Sequence, residues 1–396
     1  EIGGTVGDIE SLPYIEAVRQ LKWKLGDSRC IIIHLTLVPY LNSAHELKTK
    51  PTQHSVKLLL ESGLQADILV CRTEHPLPKE LRRKIALFCN VNINSVIEAA
   101  DVKTIYDVPL NLLEEGADDI VLAKLKLPKK HEPDLANWKA FLSRLKNPTS
   151  SVRIGLVGKY VELQDAYKSI LESFIHAGAA NECKVQVISI QSEHINDNNV
   201  AEKLADLDGV LVAPGFGDRG IEGKITAIKY VREHKIPFFG ICLGMQCCVI
   251  EFGRNVLKLK DAHSTEMNPN TKHPVIDMME EQKHVTEKGG TMRLGSYDCR
   301  LYKKTKAFEV YRSQNITERH RHRYEFNNTY LKDYEAKGMM AAGVNPQQNL
   351  VEIVELKDHP WFIGVQFHPE LKSTVENPHP LFVAFVKAAM DYKHQG

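Results

Sequence analysis

The segment Lys235-Ile236-Pro237-Phe238-Phe239-Gly240-Ile241-Cys242-Leu243-Gly244-Met245-Gln246 constrains this chain more than any other. An apolar run of strand character ends at Gly-Ile-Cys-Leu-Gly, and a helix-compatible stretch from Met245 to Phe252 follows. That is a strand–turn–helix elbow with cysteine at its tip. Glycines on both sides let the backbone turn sharply and leave room for a substrate beside the sulfur. A thiol at a helix N-terminus also feels the positive end of the dipole, which favours thiolate. An isolated cysteine in such a turn is more often a buried structural thiol. The two flanking small residues move the reading towards a nucleophile, which then needs partners.

The elbow sits within a repeated strand–helix rhythm. From residue 152 onward, strands are expected at Val152–Val157, Lys184–Ile190, Gly209–Val212 and Trp361–Phe367. Helices are expected at Ala166–Gly178, Val200–Leu207, Ile221–Glu233 and Leu381–Tyr392. Residues 1–130 show a similar alternation, with strands at Cys30–Val38, Asp67–Cys71 and Lys84–Asn90 and helices at Ser55–Ser62 and Lys79–Lys84. Strands alternating with helices imply an α/β fold with a mostly parallel sheet. A chain of 396 residues exceeds one ordinary core, so two domains are expected. Pro133–Lys146 has helical spacing, and Asn147-Pro148-Thr149-Ser150-Ser151 breaks it. The expected division is therefore 1–130, a helix and linker at 131–151, and a second domain at 152–396.

Composition removes several function classes. Lys+Arg 51 against Asp+Glu 50 gives a formal charge of +1, so no global field favours nucleic acid or an anionic membrane. Eight cysteines without small-domain spacing imply reduced thiols and a cytoplasmic location. No apolar run is long enough to span a bilayer, and no signal peptide is evident. The chain opens at Glu1-Ile2-Gly3-Gly4-Thr5 without a methionine, so it is expected to be the later part of a longer polypeptide.

Partners for Cys242 come near the end, in Phe367-His368-Pro369-Glu370. Pro369 biases His368 towards extended geometry, and residues two apart in an extended chain share a face. His368 then serves as base for Cys242, and Glu370 fixes the imidazole, which is the logic of a catalytic triad. An oxyanion hole is expected from Val212-Ala213-Pro214-Gly215-Phe216-Gly217, at the C-terminal edge of a parallel strand. Its donors are the N–H groups of Gly215 and Leu243; the loop alone reads equally as a Gly-rich turn.

These two motifs resemble the class I glutamine amidotransferases. Three further blocks narrow the resemblance: Gly158-Lys159-Tyr160-Val161-Glu162-Leu163-Gln164-Asp165-Ala166-Tyr167, Gly289-Gly290-Thr291-Met292-Arg293-Leu294-Gly295, and Glu318-Arg319-His320-Arg321-His322-Arg323-Tyr324-Glu325. Together they are similar to the CTP synthase family over essentially the whole chain. The resemblance implies that Glu266 binds the α-ammonium of glutamine and Arg323 its α-carboxylate. Gln246 and the backbone of Leu243, Gly244 and Met245 would line the pocket. One fixed anion with one fixed cation is what separates a free amino acid from a peptide. Pro214 departs from the family's usual Gly-Gly pair; lacking an N–H, it cannot donate to an oxyanion but presets the turn. Read without the family, Arg-His-Arg-His-Arg invites nucleic acid or zinc, and one short basic cluster without a cysteine pair supports neither.

The resemblance assigns the first domain to amidoligase chemistry of P-loop type and the second to a flavodoxin-like glutaminase. It implies Mg²⁺ at Glu1, with Asp8, Ile9 and Glu10 at the pyrimidine nucleotide site. Lys48, Thr49, Lys50, Pro51, Thr52, Gln53 and Lys84 would hold UTP across a subunit interface, since lysines before a helix start suit a triphosphate. Asp101 and Val102 match a segment near the ATP adenine, although Ala100 replaces a lysine frequent there. GTP as activator would neighbour Phe216 and Arg293, and assembly as a homotetramer, with filaments in some members, is the family pattern. No G-x-x-x-x-G-K-[ST] phosphate loop occurs in the sequence, so a chain missing its N-terminal part would retain only glutamine hydrolysis. The expected activity is ATP-dependent amination of UTP to CTP with ammonia from glutamine. The alternatives are another class I amidotransferase, a stand-alone γ-glutamyl hydrolase, or a filament-forming scaffold.

Overall fold

The computed structural model describes residues 1–159, 164–278 and 292–394. Tyr160 to Leu163 of one family block, and Gly289, Gly290 and Thr291 of another, lie outside the described residues. The chain divides into two compact units, Glu1–Asp134 and Leu135–Gly396.

In the first unit three parallel strands form one sheet in the order β1-β4-β5, with β1 at Ile33–Leu37, β4 at Ile68–Thr73 and β5 at Val96–Ala100. A short antiparallel hairpin joins β2 (Tyr40–Leu41) to β3 (Glu46–Leu47). The core gathers Leu69 and Cys71 of the sheet with Val56, Leu59, Ile85 and Cys89 of the helices Lys50–Glu61 and Lys79–Cys89. The expected strand at Lys84–Asn90 is instead the second half of that latter helix. Only Ile85, Ala86 and Cys89 are buried, which is helical spacing, while Leu87 is 75% exposed. Asn90 ends the helix in the left-handed conformation at φ 54°. The third strand, β5, begins after the Asn92 side chain caps a short turn.

The second unit is built on a nine-stranded sheet, ordered β13-β12-β15-β16-β17-β9-β8-β6-β7 among the described residues. Its parallel part comprises β6 (Ser150–Gly158), β7 (Cys183–Gln191), β8 (Gly209–Val212), β9 (Phe238–Ile241) and β17 (Phe362–Val365). The antiparallel extension comprises β12 (Arg293–Leu301), β13 (Asn315–His322), β15 (Met339–Val344) and β16 (Val351–Leu356). A separate small sheet joins β10 (Ala262–Ser264), β11 (His273–Met278) and β14 (Tyr324–Phe326).

Every residue of β8, β9 and β17 is buried, as expected for parallel strands covered on both faces. Helices Ile221–Glu233 and Leu243–Asn255 cover one face through Ile228, Val231, Val249 and Phe252. Helices Lys168–Ala180 and Pro380–Lys393 cover the other through Ile170, Phe174, Phe382 and Phe385. Phe174 meets Phe382 edge-on at 5.3 Å, an arrangement that contributes about 1 kcal/mol beyond area burial. The helix Ala136–Lys146 buries Phe141 and Leu142 within this second unit. Among the described residues no helix is long and apolar enough to cross a membrane.

Candidate active site

Three neighbouring strands deliver the candidate machinery. β8, β9 and β17 run parallel side by side, and their C-terminal ends lead into the loop from Ala213, the turn at Cys242, and the segment from Gln366. Ligands bind at such edges in parallel sheets. Cys242 adopts φ 52° and ψ −103°, a left-handed conformation costly for a residue with a Cβ. The helix Leu243–Asn255 starts at the next residue, so the Leu243 N–H lies among those without an intrahelical acceptor. Gly244 makes the turn feasible, because a Cβ there would stand 2.2 Å from the Val212 carbonyl oxygen.

His368 Nδ1 lies 2.7 Å from Glu370 Oε1. The contact forms differently from the expected extended geometry, since Pro369–Leu371 is a 3-10 turn that folds Glu370 back under the ring. The backbone N–H of His368 donates to Arg319 O at 2.8 Å, fastening the segment to the edge of β13. His368 Nε2 is buried without a hydrogen-bond partner among the described residues. Burial by itself lowers the His368 pKa, but Cys242 and Glu370 outweigh it and raise the value to about 10. The imidazolium form is thereby favoured beside the sulfur.

A narrow cleft of about 20 Å³ opens onto Cys242, room for little more than one water, so a larger substrate must widen it. Its walls are Gly215, Phe216, Gln246, Glu266, His322, Arg323 and Tyr324. The cleft therefore brings a carboxylate and a guanidinium together with the sulfur. Leu243 and Met245 point their side chains into the core, where both are buried.

The loop from Ala213 is clamped from behind by two buried lysines. Lys159 Nζ donates to the carbonyls of Phe216 and Gly217 at 2.5 and 2.8 Å. Lys224, fully buried, donates to the Ala213 carbonyl at 2.8 Å. Burial lowers Lys224 to about 8. On the opposite side of the loop, the Gly217 N–H donates to Glu266 Oε1 at 3.2 Å.

The Arg-His-Arg-His-Arg stretch alternates across β13, with His320 and His322 inward and Arg319 and Arg321 outward. His320 Nδ1 and His322 Nε2 lie 2.8 Å apart, and burial holds both rings below their usual range. Arg293 belongs to the same interior cluster. It is 3% exposed and donates to Glu325 at 3.0 Å and Glu352 at 2.9 Å. Expected beside GTP, it sets its guanidinium against these two buried carboxylates and over the Tyr297 ring at 4.4 Å.

In the first unit Glu1, Asp8 and Glu10 line one cavity of about 280 Å³, while Ile9 is exposed outside it. Lys48 pairs with Glu46, and Lys50 sits 5.9 Å from the Phe88 ring centre. Lys48 and, less strongly, Lys84 hold Glu46 below its usual range, so these two lysines share one neighbourhood. Pro51 occupies the helix start, and Gln53 donates to Thr49 Oγ1 at 3.1 Å. Thr52, expected at the UTP site, is fully buried and donates to the Leu37 carbonyl at 3.0 Å. Asp101 pairs with Arg72 at 2.9 Å, next to half-buried Val102.

Sequence reasoning missed His322 and Tyr324 as walls of the cleft, although both flank Arg323. It also missed Gln366, whose amide nitrogen lies 3.6 Å from Cys242 Sγ.

Comparison with known proteins matches two families along the chain. Residues 1–127 match the family described as CTP synthase N-terminus, and residues 162–388 match glutamine amidotransferase class-I. A CTP synthase of Cytophaga hutchinsonii is 69% identical over 392 residues, covering 99% of this chain and 73% of that protein. One from Bacteroides fragilis is 59% identical over 391 residues, with coverages of 99% and 73%. The solved glutaminase domain of Trypanosoma brucei CTPS with bound acivicin is similar at TM-score 0.57 and 36% identity, over 61% of this chain and 94% of that domain. The chain belongs to the CTP synthase family, glutamine-hydrolysing ligases that join an N-terminal synthetase domain to a class I amidotransferase domain.

Proposed function

We propose that Cys242, His368 and Glu370 hydrolyse glutamine. Cys242 sulfur attacks the side-chain amide carbon, and His368 donates its proton to the departing nitrogen, releasing ammonia. Water then attacks the γ-glutamyl thioester, giving glutamate and the free thiol. The N–H groups of Gly215 and Leu243 face the developing oxyanion. Glu266 takes the α-ammonium, Arg323 the α-carboxylate, and Gln246 with the 243–245 backbone shapes the pocket. The observation that carries this reading is the single cleft holding Cys242 between Glu266 and Arg323.

The ammonia aminates UTP at C4, after ATP has phosphorylated O4, to give CTP in the synthetase domain. Lys48, Lys50 and Lys84 suit the UTP triphosphate, with Asp8, Ile9 and Glu10 at the base and Asp101 and Val102 near ATP. Mg²⁺ would neutralise phosphate charge there. Among the described residues no three carboxylate, His or Cys side chains converge as a metal site. Glu1, lining one cavity with Asp8 and Glu10, would contribute a carboxylate to such an ion beside phosphates and water. Phe216, exposed at the cleft mouth, is the proposed neighbour of an activating GTP. Assembly as a homotetramer through the first unit, the pattern of the family, belongs to the same reading. The cytoplasm suits a chain whose eight cysteines are all free thiols.

The test is glutaminase activity of Cys242→Ala. A loss of more than about a thousandfold is expected for removing a covalent nucleophile, and unchanged hydrolysis would sink the triad.

A further inference from the structure

We infer that Gln366 is a further catalytic residue, whose side-chain amide donates an N–H to the Cys242 sulfur and holds it as the attacking thiolate. The inference rests on Cys242 being the nucleophile. Gln366 is fully buried immediately after β17, and its Nε2 lies 3.6 Å from Cys242 Sγ. The orientation of that amide is fixed by a chain of one-way hydrogen bonds. The Tyr324 carbonyl can only accept, so the Gln246 group 3.0 Å from it must be the NH₂. The same Gln246 nitrogen lies 3.3 Å from Gln366, which must therefore present its oxygen. Only the NH₂ of Gln366 is left to face the sulfur.

The consequence is chemical. An N–H aimed at sulfur stabilises the anion more than the neutral thiol, because a donor to a charged group forms the stronger bond. His368 supplies positive charge and, later, the proton; Gln366 supplies a donor that keeps its hydrogens throughout. Gln246 walls the cleft, and Tyr324 flanks Arg323. No proton moves along this chain of hydrogen bonds, since neither amide titrates.

The test is the pH dependence of Cys242 alkylation by iodoacetamide, located by mass spectrometry in the full chain, for the natural sequence, Gln366→Met and Gln366→Glu. Gln366→Met keeps volume and removes the donor, so the midpoint should rise by about one pH unit, with kcat/KM for glutamine down about tenfold or more. Gln366→Glu retains the acceptor for Gln246 but places an anion beside the sulfur. Its midpoint should rise further although the shape is unchanged, which a purely structural role would not produce. A midpoint unmoved in Gln366→Met, or equal in the two variants, overturns the inference. If Cys242→Ala retains hydrolysis, the nucleophile assignment itself has failed. If Cys242→Ala is inactive while the alkylation profiles coincide, only the role of Gln366 has failed.

Discussion

The backbone N–H of Cys242 donates to the carbonyl of Val365 across 2.7 Å, directly beyond the register pair Ile241 and Val365. The proposed nucleophile thus leaves β9 at the level where β17 gives way to Gln366 and His368. Reaching that position forces Cys242 into its left-handed backbone.

Cys242→Gly should for that reason be more stable than Cys242→Ala by about 1 kcal/mol, the reverse of the usual order near a helix, because glycine accepts φ 52° without a Cβ penalty. Both variants lose hydrolysis. Denaturant unfolding of the pair decides it, and an alanine variant as stable as the glycine one would show that the turn carries no strain.

Glu370→Gln should move the alkaline limb of the glutaminase pH profile downward by about one unit, as loss of a close anionic partner does. The His368 value, raised to about 10 from 6.5, gives a stability contribution complete below about 6.5 and lost as pH rises through about 10. Without the Glu370 charge the imidazolium sheds its proton earlier. kcat/KM measured from pH 6 to 10 is the check, and an unmoved limb counts against Glu370 as the orienting partner.

Lys159→Met should raise KM for glutamine about tenfold while leaving kcat nearly unchanged. In a planar trans peptide the carbonyl and the N–H point opposite ways. Lys159 holds the Phe216 carbonyl, and the N–H of that same peptide holds Glu266. Releasing the clamp frees the carboxylate proposed to take the α-ammonium. A fall in kcat alone would place Lys159 elsewhere in the reaction.

Lys224→Met should show a pH-dependent stability difference. Folding lowers Lys224 from 10.5 to about 8, so between those values the unfolded chain keeps a proton that the folded one has shed. Stability therefore rises with pH across that window. The natural chain should gain on the order of 2 to 3 kcal/mol relative to the variant between pH 7 and pH 10. Chemical unfolding at the two pH values measures it; equal differences would mean Lys224 keeps its ordinary affinity for protons.

The parallel centre of the second unit was legible in the sequence because β8, β9 and β17 are short, wholly apolar runs. Gly209–Val212 and Ile221–Glu233 fall where the pattern puts them. Lys84–Asn90 misled because Ile85 to Cys89 is an unbroken apolar run whose outer members, Leu87 and Phe88, face solvent. An apolar run does not by itself reveal its period. The partners of Arg293 were not legible: a conspicuous arginine in a family block pairs with interior carboxylates contributed by β14 and β16, and no local pattern records such distant partners. Gln366 was within reach. The rule that residues two apart in an extended chain share a face applies equally to Gln366 and His368.

The cleft is assembled from two sheets. Sulfur, imidazole and the Gly215 loop depend on the large one, Glu266 follows β10 of the small one formed by β10, β11 and β14, and Arg323 is the residue between β13 of the large sheet and β14 of the small. The side chains proposed to select the amino acid thus hang partly on a frame apart from those proposed to break the bond. Drift in the small sheet would shift Glu266 before it disturbed the sulfur, so the proposed selectivity is the more easily altered of the two.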